Sequence, residues 1–242
     1  MKQSLRNIGI VARKELMTYL GSPMAYIVSA IFIGLSGASF TTYLAQSSYS
    51  DTSIRGFLEA AQLLILLFSA LLTMRLISEE RKLGTWELLL TAPVREYEIV
   101  LGKFFSSLLV LSGMLILTLY FPILLMIFGD PDTGPILTSY LGLLLIGSAS
   151  LAIGIFSSSL TTYQIVSAVV ASGILFGLWF LGMVGNLIPQ PVGEILSYFS
   201  LSQHFPGFVR GVVDTRDVIY YLSVTAVFLF LSVRSIETER WR

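Results

Sequence analysis

His204 is the only histidine in this 242-residue chain and is its best candidate for acid–base chemistry. Ser197, Ser200 and Ser202 lie close to it in sequence, and a serine–histidine dyad would give a hydrolase. The sequence shows no strained turn around any of these serines and no acid placed to orient the imidazole. A membrane enzyme that uses the region around His204 is therefore an alternative and not the main expectation.

Two other motifs resemble catalytic or binding sites. Asp130-Pro131-Asp132 resembles the metal-binding acid pair of some glycosyltransferases, but flanking glycines and prolines predict a turn. Gly102-Lys103 resembles the end of a phosphate loop, yet Phe104 replaces the hydroxyl residue and no glycine-rich turn precedes it. With no cysteine and one histidine, thiolate and multi-histidine metal sites within one chain are excluded. We predict no catalytic residue, no metal site and no cofactor in this chain.

The composition is that of a membrane protein. Hydrophobic residues make up 55% of the chain and charged residues 12%, whereas average soluble domains carry about 25% charged residues. The 15 basic and 15 acidic residues balance, so net charge gives no indication of a nucleic-acid partner. We predict an all-α, polytopic membrane protein with a single domain over residues 1–242.

Six segments are long and apolar enough to span a bilayer, which takes about 20 residues. The third begins where Lys103 is expected to reach the interface with its amine. The polar cluster from Ser157 to Gln164 divides the fourth segment from the fifth. The predicted spans are approximately Met24–Ala45, Gly56–Ile77, Leu101–Phe128, Ile136–Phe156, Ile165–Ile188 and Asp217–Arg234.

The distribution of lysine and arginine orients these spans. Twelve of the 15 basic residues fall on one side of the membrane and three on the other. The positive-inside rule places the side with twelve in the cytoplasm. Both termini and the loop between the second and third spans are therefore predicted to be cytoplasmic.

Two segments outside the spans are predicted to contact the membrane. Residues 5–20 predict an amphipathic helix on the inner membrane surface, with its apolar stripe at Leu5, Ile8, Ala12, Leu16 and Tyr19. A role as a simple topology anchor is the alternative. Residues 186–217 predict an external re-entrant region of short helices that dip into the outer leaflet.

The loop at residues 78–100 combines charge with an apolar centre. Residues 77–103 contain nine charged residues, four basic and five acidic, a mixture that favours a protein partner over a lipid surface. Leu83, Trp86 and Leu90 have the spacing of one helical face, which Pro93 terminates. These residues predict either an interface anchor or a helix that holds Trp86 at the level of the lipid headgroups.

Three stretches resemble the type-2 ABC exporter permeases: "EERKLGTWELLLTAPV", "GIFSSSLTTYQIVSA" and "HFPGFVRGVVDTRDVIYYLS". They are most like the branch that includes the permeases of the gliding-motility and nitrous-oxide-reductase-maturation transporters. The resemblance implies the permease subunit of a bacterial inner-membrane transporter that exports a cargo or transmits force. Two permease chains would pair, as a homodimer or with a related chain, and two ATPase subunits would bind ATP and Mg. An external partner protein would receive any transmitted force.

The resemblance also assigns roles to residues of the loop. The coupling helix that docks the ATPase would be Leu83, Gly84, Thr85, Trp86, Glu87, Leu88, Leu89, Leu90 and Thr91. Glu79, Glu80 and Arg81 would link this helix to the second span. A membrane scaffold without an energy source is the remaining alternative.

Small residues recur every fourth position in two spans: Ala30, Gly34 and Ala38 in the first, and Gly173 and Gly177 in the fifth. Such spacing allows close helix crossing. Contact with a second permease chain and packing within one chain both remain open.

The orientation is testable with single cysteines, because the natural chain has none. A cysteine at Gly84 should resist an impermeant thiol reagent in intact cells, and one at Thr133 should react. Labelling at position 84 but not at 133 would reverse the topology.

Overall fold

A computed structural model describes residues 2–46, 54–86, 94–128 and 131–240, and this part of the chain is helical without a strand. We number its helices in chain order. They are α1 (Lys2–Gly21), α2 (Pro23–Gln46), α3 (Arg55–Thr73), α4 (Ser78–Lys82), α5 (Glu96–Thr118), α6 (Tyr120–Phe128), α7 (Thr133–Leu160), α8 (Gln164–Gly185), α9 (Val192–Tyr198), α10 (Pro206–Val209) and α11 (Thr215–Arg240).

The predicted all-α fold with six candidate membrane spans is confirmed. The polar cluster divides the fourth span from the fifth as expected, because α7 ends at Leu160 and α8 begins at Gln164. The third span starts earlier than predicted, at Glu96 instead of Leu101. The spans are Pro23–Ala45, Arg55–Lys82, Glu96–Phe128, Thr133–Leu160, Gln164–Gly185 and Thr215–Thr238.

The fourth span, α7, forms the centre of the bundle. It packs against α3, α5, α8 and α11, and 72% of its most apolar window is buried, against 22% in the first and fifth spans. Small residues allow this central position. Gly147 lies against Leu111 and Ile65, and Gly154 lies against Thr73, so α7 approaches two other spans closely.

The region between the fifth and sixth spans contains the short helices α9 and α10, as the sequence predicts. Two tyrosines of α11 hold its backbone. The Tyr220 hydroxyl donates to the carbonyl of Phe199 (2.7 Å), and the Tyr221 hydroxyl donates to the carbonyl of Leu201 (2.8 Å). The depth of this region in the outer leaflet stays a prediction.

The contact between α3 and α7 gives a stability test. A Cβ atom at Gly154 would lie 1.9 Å from Oγ1 of Thr73, so Gly154→Ala should destabilise the protein by about 1–3 kcal/mol through overpacking. Gly173→Ala is the matched control, since a Cβ there meets no atom within 4 Å and alanine favours helix. Thermal unfolding in detergent measures both variants.

Combining Gly154→Ala with Thr73→Ala should recover part of the loss, because the nearest clashing atom is then removed. Equal unfolding temperatures for Gly154→Ala and Gly173→Ala would show that the two spans are not packed in this register.

Candidate functional site

The coupling-helix residues of the sequence analysis lie only partly within the described structure. Glu79, Glu80 and Arg81 are in α4. Leu83 and Gly84 form the turn after it, where Gly84 has a φ of 71°, in the left-handed region that favours glycine. Thr85 donates its hydroxyl to the carbonyl of Glu80 (3.2 Å). The remaining predicted residues, Glu87, Leu88, Leu89, Leu90 and Thr91, lie outside the described residues.

Leu83 and Trp86, predicted to share one apolar face, differ in their surroundings. Leu83 lies on the surface of the chain and is 68% exposed. Trp86 is 6% exposed and packs into the hydrophobic core, with the Arg81 guanidinium 5.6 Å from its ring centroid. Within one chain, Leu83 is therefore free to meet a partner, whereas Trp86 supports the turn from beneath.

A buried lysine connects this loop to two other helices. Lys103 of α5 has no exposed side-chain surface, and its Nζ lies 3.0 Å from Oε1 of Glu15 in α1 and 2.8 Å from Oε2 of Glu80 in α4. The same ammonium donates to the carbonyl of Leu76 (2.6 Å). The ammonium thus donates two hydrogen bonds, to Glu15 and to Leu76, and forms an ion pair with Glu80. The expectation that Lys103 reaches the interface with its amine was wrong, because α1 covers this position and supplies a carboxylate.

Lys14 completes the cluster at its exposed edge. Its Nζ lies 3.1 Å from Oε1 of Glu80 and 3.6 Å from Oε1 of Glu15. Burial acts to lower the pKa of Lys14, but the Glu80 and Glu15 carboxylates outweigh it, so that this pKa is raised above its ordinary value. We call Glu15, Lys14, Glu80 and Lys103 the charged junction. The charged junction contains two positive and two negative side chains. Its net charge is therefore zero.

Further contacts fix α1 across the start of α5. Ser4 and Asn7 both donate to the Glu98 carboxylate, the latter over 2.9 Å, and Glu98 also accepts the backbone N–H of Arg95 at the helix start (3.1 Å). One turn later, Gly102 leaves room for Val11, since a Cβ at Gly102 would lie 2.6 Å from that side chain. The first helix is therefore docked on the third span along one side.

The turn that joins α3 to α4 is also held. The Ser158 hydroxyl oxygen of α7 accepts the backbone N–H groups of Ile77 and Ser78, each over 3.1 Å, and its O–H points to the carbonyl of Met74 (3.2 Å). Buried backbone groups need such partners, because water does not reach them. The central span thus positions the start of α4 directly.

The sequence analysis missed Glu15, Lys14 and Lys103 as members of one site. A signal was present for Glu15, which is the only acidic residue in α1. No sequence pattern, however, pairs it with a lysine 88 residues away.

The structure gives His204 a partner that the sequence did not reveal. Its Nδ1 lies 2.7 Å from Oδ1 of Asp217, and its ring stacks on Tyr220 with centroids 3.9 Å apart. Its Nε2, however, lies 2.9 Å from the carbonyl oxygen of Tyr198, which can only accept a hydrogen bond. Neither ring nitrogen is directed at a serine, so this geometry supports a structural role for His204.

The serines near His204 are engaged with the backbone of α8. Ser200 and Ser202 direct their hydroxyls to the carbonyl of Trp179, at 3.0 and 3.1 Å. Within the described ranges, no group of three or more histidine, aspartate or glutamate side chains is arranged to hold a metal ion.

The small-residue motifs face outward. Ala30, Gly34 and Ala38 of α2 and Gly173 and Gly177 of α8 are all exposed in the single chain. A Cβ placed at Gly34, Gly173 or Gly177 meets no atom within 4 Å. Within the part of the chain that the structure describes, these positions do not pack helices together, and their contact with a second copy stays a prediction.

Removing the buried lysine should be costly. Lys103→Met leaves Glu15 and Glu80 largely buried without the ammonium, and breaking a buried ion pair on one side costs about 3–5 kcal/mol. We expect the melting temperature in detergent to fall by roughly 10 °C. Lys82→Met, at an exposed position of α4, is the matched control and should be near neutral.

Neutralising the acids tests the cause of that loss. The triple variant Lys103→Met, Glu15→Gln and Glu80→Gln leaves no buried carboxylate unpaired and should recover much of the stability, since the remaining Lys14 is 57% exposed. If Lys103→Met has the same melting temperature as the wild type, the charged junction does not hold these helices together.

Comparison with known proteins agrees with this architecture. A family model described as ABC-2 family transporter protein matches residues 10–240, nearly the whole chain. No curated protein matches the chain. With six candidate spans and a match over almost its full length, the chain belongs to the ABC-2 transporter family and is a membrane permease subunit.

Proposed function

We propose that this permease transmits the ATP-driven movement of a separate ATPase subunit to its membrane spans, for export of a cargo or for transmission of force. The observation that carries the proposal is the charged junction. It joins the segment just before the predicted coupling helix to both α1 and the third span. The sequence contains no G-x-x-x-x-G-K-[ST] motif, so the proposal places ATP and Mg on the partner chain.

The contact with the ATPase is proposed at the tip of the loop. Leu83 is exposed there next to a sharp turn at Gly84, and the predicted helix follows directly. Trp86 holds the base of this tip by packing into the core. An apolar residue on a supported turn, surrounded by charged residues, has the character of an interface centre with a polar rim.

Movement of the tip would reach the membrane by two routes. The first is covalent, because α4 continues through residues 74–77 into α3, and Ser158 fixes that turn. The second is electrostatic, because Glu80 of α4 is paired with Lys103 of α5. The second and third spans would therefore move together, and α1 would move with them through Glu15.

The functional unit is proposed to contain two permease chains and two ATPase subunits in a bacterial inner membrane, with both termini of this chain in the cytoplasm. The outward small residues of α2 and α8 provide surfaces on which a second permease chain could pack closely. Membership of the motility-type branch, in which force passes to an external partner protein, stays a prediction. A hydrolase is not favoured, because Nε2 of His204 faces a carbonyl oxygen.

Leu83→Asp tests the docking proposal. Burying a carboxylate in an apolar pocket of the ATPase should weaken its co-purification roughly 30-fold, as a loss of about 2 kcal/mol implies. The variant itself should fold normally, because Leu83 is 68% exposed. Arg95→Ala, at an exposed position beyond the predicted helix, is the control and should have a much smaller effect.

Unchanged ATPase binding by Leu83→Asp, together with a large loss from Arg95→Ala, would show that charge pairing holds the partner. A normal complex with normal ATP turnover in both variants would remove the tip of the loop as the docking site.

A further inference from the structure

An apolar groove of about 340 Å³ lies where α1, α2 and α5 meet. We call it the inner groove, after the predicted position of α1 on the inner membrane surface, because α1 forms part of its wall. Along α5 it extends from Leu109 to Leu117, a distance of about 12 Å at the helical rise. Its wall consists of Leu16, Tyr19, Leu20, Ala25, Tyr26, Ser29, Leu109, Val110, Gly113, Met114 and Leu117.

The groove offers a ligand little opportunity for polar contact. Both phenol groups in its wall are already engaged, as Tyr19 donates to the carbonyl of Leu72 (2.6 Å) and Tyr26 donates to the carbonyl of Leu20 (2.8 Å). The remaining wall is almost entirely hydrocarbon. Gly113 widens the groove, and a Cβ placed there meets no atom within 4 Å. An elongated apolar groove of this kind suits a hydrocarbon chain.

Positive charge lies next to the groove on α1. Arg13 precedes Leu16 by three residues and Leu20 by seven, so it lies on the same side of the helix as these two groove residues. Arg6 is two turns before Arg13 on that side. Both arginines are exposed, and neither forms an ion pair with any described residue. Lys14, by contrast, is committed to the charged junction.

We propose that the inner groove binds one acyl chain of an anionic phospholipid, with the phosphate beside Arg6 and Arg13. The two parts of the site then match the two parts of one molecule, hydrocarbon within the groove and negative charge at its entrance. A basic side chain near an anionic membrane surface contributes favourably, and the apolar wall removes the acyl chain from contact with neighbouring lipids. The bound lipid fills the gap between α1 and the first and third spans, and so helps to hold α1 against the bundle. This proposal is independent of ATPase docking.

The test counts lipids retained by the purified permease. The protein is reconstituted in nanodiscs of equal phosphatidylglycerol and phosphatidylcholine, released into mild detergent and examined by native mass spectrometry. The wild type should retain one phosphatidylglycerol per chain. The Trp side chain of Gly113→Trp should fill the groove and reduce the retained phosphatidylglycerol at least tenfold. Ile116→Trp should retain as much phosphatidylglycerol as the wild type. Ile116 is the matched control because it lies on the same helix, is 64% exposed and lies outside the groove.

A double variant tests whether Arg6 and Arg13 bind the lipid phosphate. Arg6→Gln with Arg13→Gln should lower the preference for phosphatidylglycerol over phosphatidylcholine by about 30-fold, as about 1 kcal/mol per arginine implies, while one lipid of either kind is still retained. All variants are checked for the wild-type melting temperature. If Gly113→Trp is less stable, Gly113→Leu, with a smaller side chain, replaces it in the same assay.

Three results would overturn the proposal. The first is equal lipid retention by Gly113→Trp and the wild type. The second is equal loss of lipid from Gly113→Trp and Ile116→Trp, since the effect would then not belong to the groove. The third is a changed oligomeric state of Gly113→Trp with unchanged lipid retention, which would make the groove an interface between copies of this chain.

Discussion

A lysine ammonium without solvent contact, surrounded by two carboxylates and a carbonyl oxygen, determines how the loop side of this permease is assembled. A charge in that position is acceptable only if its partners stay in place, because the cost of an unpaired buried charge is several kcal/mol. The partners of Lys103 come from helices far apart in sequence. Their relative positions are therefore constrained more strongly than apolar packing alone would require, since apolar contacts tolerate sliding and a buried ammonium between two carboxylates does not.

The central span, α7, holds the other side of the loop in place. In a membrane every backbone N–H and C=O needs a partner within the protein, so a turn between helices is expensive unless a side chain satisfies it. Ser158 of α7 does so for the turn before α4 by accepting two backbone N–H groups. Glycines at 147 and 154 let the same helix approach its neighbours closely. One helix thus provides both close packing and the hydrogen bonds that hold the loop at its origin.

The parts of this fold that depend on the bilayer were predictable from the sequence. A hydrocarbon layer of fixed thickness imposes the length and polarity of each span, so the six spans and the break after Leu160 follow from composition. Pairing between distant residues leaves no such pattern. The contact of Lys103 with Glu15 depends on how α1 crosses α5, and that crossing is determined by Val11 meeting Gly102.

The apolar face predicted for the loop shows a second limit of the same kind. Helical spacing groups Leu83 with Trp86, but spacing does not reveal which side chain the rest of the chain covers. The positive φ of Gly84 reverses the chain between them, so that Leu83 remains exposed and Trp86 enters the core. A periodic pattern describes a face only while the backbone stays regular.

These constraints bear on the proposed transmission of movement from the loop to the membrane spans. A loop that was simply flexible would absorb a displacement of its tip in its own dihedral angles. Here α4 cannot move away from α5 without separating Glu80 from Lys103, and it cannot move away from α7 without exposing the N–H groups held by Ser158. Each separation would leave a buried charge or a buried backbone group without its partner, which costs free energy. Under the proposed coupling, a displacement of Leu83 would move the second span, the third span, α1 and the central span α7 together. In the proposed coupling, the buried charge would contribute through the cost of breaking it, even where a pair of this kind adds little net stability.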